Sequence, residues 1–156
     1  MQPITHLSVA YLVCEGLQAI GVPINRRGVL LGSVLPDADY ALVPFMPKII
    51  AHRTVTHSPF WTAVVAAGLR KRYGFWSTWL GGLTHVAADE FDGCDTRSGY
   101  WSRLMWLFPL DLGRRPWKRC IFDRGKIPGP EFVGHLVLEG PIVLSALWLA
   151  WRKRKK

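Results

Sequence analysis

Two stretches of this chain, "THVAAD" and "GHLVLE", set a histidine four residues ahead of an acid: His85 with Asp89, and His135 with Glu139. On an α-helix such a pair leaves from one face, so an imidazole nitrogen and a carboxylate oxygen stand side by side. These are ligand atoms for a divalent cation. A third stretch, "HRTVTHS", carries His52, Arg53, Thr56, His57 and Ser58 within seven residues, and His6 follows Thr5 near the N-terminus. That accounts for all five histidines. In "GSVLPDADY" two more acids, Asp37 and Asp39, follow Pro36 on a turn. They could aim hard oxygens at one site, or serve as turn and cap residues, where Asp is common for local hydrogen-bonding reasons.

Taken singly, each of these pieces is weak, because a lone histidine on an apolar helix face is more often a satisfied core residue. Together they weigh more. Uncompensated charges among apolar helices cost several kcal/mol each. Groups of this kind therefore pair with one another or bind metal.

Four apolar segments must position them: Pro3 to Ile20, Ser58 to Leu69, Phe75 to Phe91, and Glu131 to Trp151. None shows the alternation of a half-buried strand, so an all-α helical bundle is expected, with the metal site between helices. Pro3 and Gly21 bracket the first segment as helix ends commonly are. The second opens with Ser58 as N-cap and ends in "RKR", which complements the helix dipole. A crossing of the bilayer takes about 20 predominantly apolar residues. The second segment is too short for this, the third carries His85, Asp89 and Glu90, and the fourth is broken at Glu139-Gly140-Pro141. Beyond that break, "PIVLSALWLAW" would either pack in the core or dip into a bilayer, with the basic tail 152–156 at an anionic surface. Between Asp92 and Pro130 basic residues alternate with aromatics in a long loop, fit to grip phosphates, to rest on a membrane interface, or to lie solvated.

The 156 residues suit one domain, and a net charge of +9 favours anionic partners: nucleic acid, acidic lipid surfaces or phosphorylated substrates. Hydrophobic residues make up 49% of a chain with eight Trp, a composition between a soluble globule and a small membrane protein. Cys14, Cys94 and Cys120 fall in no disulfide or zinc-ligand spacing, which fits a reducing compartment. The N-terminus lacks the basic region and cleavage site of a secretory signal and reads as mature protein.

In order along the chain, "TH", "GSVLPDADY", "HRTVTHS", "GGLTHVAAD" and "GYWSRLMWLFP" resemble the motifs of the YdjM-like family over about residues 5 to 110. Its members are bacterial inner-membrane-associated proteins assigned by inference as metal-dependent hydrolases, some described as binding LexA. More distantly, the chain is similar to the helical zinc-dependent phospholipase C and single-strand nuclease superfamily. His135 and Glu139 stand where the last ligand pair of that superfamily's three-zinc cluster would be. The chain departs from that superfamily in opening with Met1-Gln2, where an N-terminal Trp is a ligand there, and in having one histidine fewer.

The resemblance implies a principal site of His57, Asp37 or Asp39, His85 and Asp89. It adds a second of His6 with a bridging Asp89, and a third of His135 with Glu139. His52 would be a ligand, a partner orienting one, or a proton donor to a leaving oxygen. Arg53 offers a planar fork to a phosphate. The expected cofactor is one to three divalent ions, zinc first and manganese or iron next. The expected activity is hydrolysis of a phosphoester by metal-activated water, with Asp37 or Asp39 as base, at the cytoplasmic face of the inner membrane. The competing expectations are a membrane-associated binding or regulatory protein with a structural metal centre, and a nucleic-acid-binding module without chemistry.

Overall fold

The computed structural model describes residues 3–41, 55–91 and 131–155. Among them are five α-helices and no strand: α1 (Pro3–Ala19), α2 (Arg26–Gly32), α3 (Pro59–Tyr73), α4 (Phe75–Phe91) and α5 (Glu131–Arg154). A short 3-10 helix, Pro36–Ala41, follows α2. The all-α reading holds. The long basic and aromatic segment from Asp92 to Pro130 lies outside the described residues, as do His52 and Arg53.

Local chemistry sets the helix ends. The Asn25 side chain accepts from Gly28 N (3.3 Å) and starts α2. Ser58 accepts from Trp61 N (3.1 Å) ahead of Pro59, so α3 begins where a capping hydroxyl and an N1 proline place it. At the corner into α4 stands Gly74, with φ of 80°, a conformation an L side chain rarely adopts. Two features differ from the sequence expectation. The seven-residue α2 is too short to show a hydrophobic period. The fourth segment is not broken at Glu139-Gly140-Pro141, because α5 runs unbroken through Pro141. Proline removes one backbone donor and costs about 3 kcal/mol inside a helix. Here Pro141 lies on the exposed side of α5, while Glu139 and Ala146 hold the other side to the bundle.

α4 is the central element and packs on α1, α2 and α3, while α5 lies along α1. The α2–α4 crossing is backbone to backbone. A Cβ on Gly32 would overlap the Thr78 carbonyl, and one on Gly81 would overlap the Val29 carbonyl. This reciprocal glycine contact brings the end of α2 against the first half of α4, within reach of His85. α1 and α5 run parallel, since Thr5 bonds to Glu139 near their starts and Glu15 bonds to Lys153 near their ends. A small cluster of Ala10, Cys14 and Val29, with Ile24, Leu30 and Leu80 against it, fills the space between α1, α2 and α4.

Candidate metal centre

Four separate elements bring their donors to one end of the bundle. His6 comes from the first turns of α1, Asp37 and Asp39 from the 3-10 helix after α2, and His57 from the turn that α3's cap fixes. His85 and Asp89 come from the last turns of α4. Asp37 Oδ1 lies 3.4 Å from both His57 Nε2 and His85 Nε2. Asp89 reaches both ways: Oδ2 lies 3.4 Å from the same two nitrogens, and Oδ1 lies 3.3 Å from His6 Nε2. The imidazoles of His6 and His85 stack at 3.7 Å between centroids, and His57 meets His85 edge-on at 4.9 Å.

Two sets of three residues, His6-His85-Asp89 and Asp37-His57-His85, hold ligand atoms within 4.8 Å of one another, close enough to share an ion. All of this is buried. His57 and His85 are fully covered and His6 and Asp89 nearly so, whereas the Asp37 side chain keeps 12% of its surface and is the most open member.

The backbone and a hydroxyl decide which nitrogens face inward. His85 Nδ1 lies 2.7 Å from the Ser33 carbonyl, which can only accept, so Nδ1 carries a proton and Nε2 turns to the carboxylates. Thr56 Oγ1 donates to Asp39 Oδ2 at 2.5 Å and stands 3.0 Å from His57 Nδ1. Its single proton is given to the carboxylate, so His57 Nδ1–H donates to the hydroxyl and Nε2 again points inward. Partners of this kind fix ring orientation and ligand basicity in metal sites. Asp37 and Asp39, interchangeable in the sequence reading, thus separate into a candidate ligand and an orienting group.

Electrostatics follow from the burial. Burial works against protonation of His85, but Asp37 and Asp89 at its Nε2 overcome it and raise the pKa to about 9. Burial likewise pushes Asp37 upward, yet His57 and His85 hold its carboxyl well below the usual carboxylate range. His6 goes the other way: desolvation outweighs Asp89 and lowers its pKa. Buried His85 Nε2 and His6 Nδ1 make no hydrogen bond with described residues. A divalent cation fits a pocket of this donor set, which carries two acids, inward-facing imidazole nitrogens and buried nitrogen atoms left without hydrogen bonds.

A comparison of sequence covers nearly the whole chain: a model of the family described as YdjM inner membrane protein matches residues 1–153. The chain belongs to this family. No curated protein and no solved structure matches it. The YdjM family description places its members at the inner membrane. No described helix is long and apolar enough to cross one.

Of the nine residues expected as ligands, the structure brings together His6, Asp37, Asp39, His57, His85 and Asp89. Glu139 is buried nearby and accepts from Thr5, the neighbour of His6, outside both three-residue groups. The backbone of His135 lies in α5, with its side chain outside the described atoms, and His52 falls outside the described residues. Sequence reasoning missed Ser33 and Thr5. Ser33 acts through its carbonyl, which no residue type betrays; the available signal was Gly32 and Gly81, small residues that let α2 and α4 approach.

Proposed function

We propose that this YdjM-family chain is a metal-dependent hydrolase of a phosphoester, acting at the inner membrane on the phosphodiester of a lipid or nucleic acid. The observation that carries the reading is the convergence of His57 and His85 Nε2 on Asp37 and Asp89 in a buried pocket. Asp37, His57 and His85 would hold one ion, zinc before manganese or iron. One imidazole lone pair serves one ion, so a second would rest on His6 and Asp89, with Glu139 and His135, four residues apart on α5, proposed as a third pair. When bound, a divalent cation supplies Lewis acidity, making water nucleophilic near neutral pH and offsetting negative charge on the phosphoryl group.

The chain's own residues do the rest. Ser33 and Thr56 keep the imidazoles turned inward, and Asp39 holds Thr56. Asp37, the most open acid, faces the approach of substrate and water. Arg53 is proposed to grip a phosphate oxygen, and His52 to give a proton to the leaving oxygen. The test is elemental analysis of protein purified without chelators, followed by hydrolysis of bis(p-nitrophenyl) phosphate with added zinc or manganese. Stoichiometric metal and turnover, both lost in His85→Ala, are expected. Absence of both in the parent protein would end the hydrolase reading.

A second reading is favoured by one specific observation: His6, His57, His85 and Asp89 are almost wholly covered, and structural metal sites are closed where catalytic ones keep an open position. In that reading the family member is a membrane-associated regulatory protein. Asp37→Ala separates the two. A folded variant without turnover favours catalysis, and a variant that unfolds favours the structural role.

A further inference from the structure

The described helices are packed inside out by the standard of a water-soluble bundle. In the described helices every buried hydrophobic residue is small: Ala10, Cys14, Val29, Ala66, Val86, Ala88 and Ala146. Many large ones face outward, as lipid-facing helices arrange them when small residues make the helix contacts, while Ile24, Leu30 and Leu80 are only partly buried. α5 shows this most fully. Leu136, Val137, Leu144, Leu147, Trp148 and Trp151 are each more than half exposed. At 100° per residue they fall within about a third of the helix circumference. Glu139 and Ala146 lie buried on the opposite side.

Charge is distributed with equal polarity. The acids Asp37, Asp39, Asp89 and Glu139 all lie toward the metal-centre end. Toward the other end, about 20 Å away along α1, point the basic runs 70–72 closing α3 and 152–155 closing α5, and exposed Arg27. The one described acid there, Glu15, is buried and bonded to Arg26 and Lys153. Trp148 lies under Arg152 (5.4 Å to the ring centroid) and Trp151 under Lys155 (4.0 Å), so aromatic and cationic groups alternate where the apolar arc ends. Trp with Lys and Arg is the composition of a membrane interface.

We propose that the cationic end of the bundle docks on an anionic phospholipid leaflet, with the outer arc of α5 laid into that leaflet's interface. α5 would then lie along the leaflet surface, with Leu144, Leu147, Trp148 and Trp151 against the acyl chains and residues 152–155 among the phosphates. The occupant is argued from charge complementarity together with the apolar arc, since a nucleic acid would leave Leu144, Leu147 and the tryptophans uncovered. The proposal is independent of whether the metal centre catalyses hydrolysis.

The test uses the full chain with vesicles containing phosphatidylglycerol and with vesicles of phosphatidylcholine alone, followed by co-sedimentation at low and high salt. Binding is expected to prefer the anionic vesicles and to weaken with salt. The triple variant Arg152→Gln, Arg154→Gln, Lys155→Gln spares the Lys153–Glu15 contact. It should lose about 100-fold in affinity for anionic vesicles, at roughly fivefold per charge. Leu144→Ser with Leu147→Ser should weaken binding to both kinds of vesicle. Equal binding to the two compositions, or parental binding by both variants, would overturn the proposal. So would a single-stranded oligonucleotide that binds more tightly than anionic vesicles and releases the protein from them. Should a variant fail to fold, the parent's lipid preference and its salt dependence still decide.

Discussion

The two ends of this bundle bury carboxylates and neutralise them in opposite ways. At the cationic end Glu15, 4% exposed, is bonded to Arg26 and Lys153, whose side chains remain about half in water. Two permanent cations on long stems settle the charge with nothing added. At the other end Asp37 and Asp89 face imidazoles, three rings within stacking or edge contact. Imidazole is a cation only when it gains a proton, and three of them in mutual contact cannot all do so at neutral pH without repelling one another. An acid meant only to be stable is served by Arg and Lys. An acid surrounded by histidines suits an exchangeable cation, because neutral imidazole is also a ligand.

Replacing one acid at each end tests that contrast most severely. Asp89→Asn keeps the shape but removes the carboxylate that joins His6 to His57 and His85. Loss of a group that only orients a ligand costs about 10- to 100-fold in metal affinity, so this variant should lose about 100-fold or more by calorimetric titration with zinc. Glu15→Gln should leave zinc binding untouched and cost about 1–2 kcal/mol in urea unfolding, the exposure of Arg26 and Lys153 moderating the loss. Equal metal affinities in the two variants would erase the distinction between the ends.

The next effect comes from the helix crossing that supports the centre. Gly81→Ala drives a methyl group into the Val29 carbonyl and should cost about 2–3 kcal/mol or more, since backbone cannot step aside as a side chain can. It should weaken zinc binding as well, because the same crossing delivers the Ser33 carbonyl to His85. Gly16→Ala is the control. Nothing lies within 4 Å of its new methyl in the last turn of α1, and it should stabilise the protein by about 0.5 kcal/mol. Denaturation midpoints that move together in the two variants would show the contact to be looser than described.

These variants also mark what the sequence could and could not reveal. The helices α1 and α3 were legible because their caps and punctuation are local: Pro3 with Gly21, and Ser58 with Pro59. So was the gathering of six of the nine expected side chains, because buried histidines and acids have few other uses. Its geometry was not. Ser33 bonds His85 across 52 positions, and Thr5 meets Glu139 across 134. Such pairs depend on how helices cross, which neither periodicity nor spacing encodes. The expected break at Pro141 failed for a related reason, since a local rule about proline yielded to packing along the rest of α5.

Thr56 tests the finer claim that the imidazoles are oriented, not merely gathered. Thr56→Val keeps the volume and removes the hydroxyl that links Asp39 to His57, leaving the Nδ1 proton to find Asp39 at 3.6 Å. Zinc affinity should fall about tenfold. Thr56→Ser should restore it, which a purely steric role for the side chain would not predict. Cobalt substituted for zinc should report the same change in its visible absorption.

The smallest effect requires no substitution. In metal-free protein the His85 pKa lies at about 9, above its ordinary value of 6.5, because Asp37 and Asp89 outweigh burial. A raised folded-state pKa gives stability that is fully present below pH 6.5 and is lost as pH climbs through about 9. His6 and Cys14 do not confuse this window. The lowered His6 pKa removes stability only as pH falls below its ordinary 6.5, and the Cys14 thiol, pushed up by burial, acts only above 9.0. Between these limits the melting temperature of chelator-treated protein should fall by a few degrees, about 2–4 °C. With zinc bound the slope should flatten or reverse, because the ion takes the place of the proton on His85 Nε2 and its affinity rises as that proton leaves. Identical pH profiles with and without zinc would mean that the ion, wherever it binds, does not displace a proton from this histidine, and the assignment of His85 as a ligand would fall.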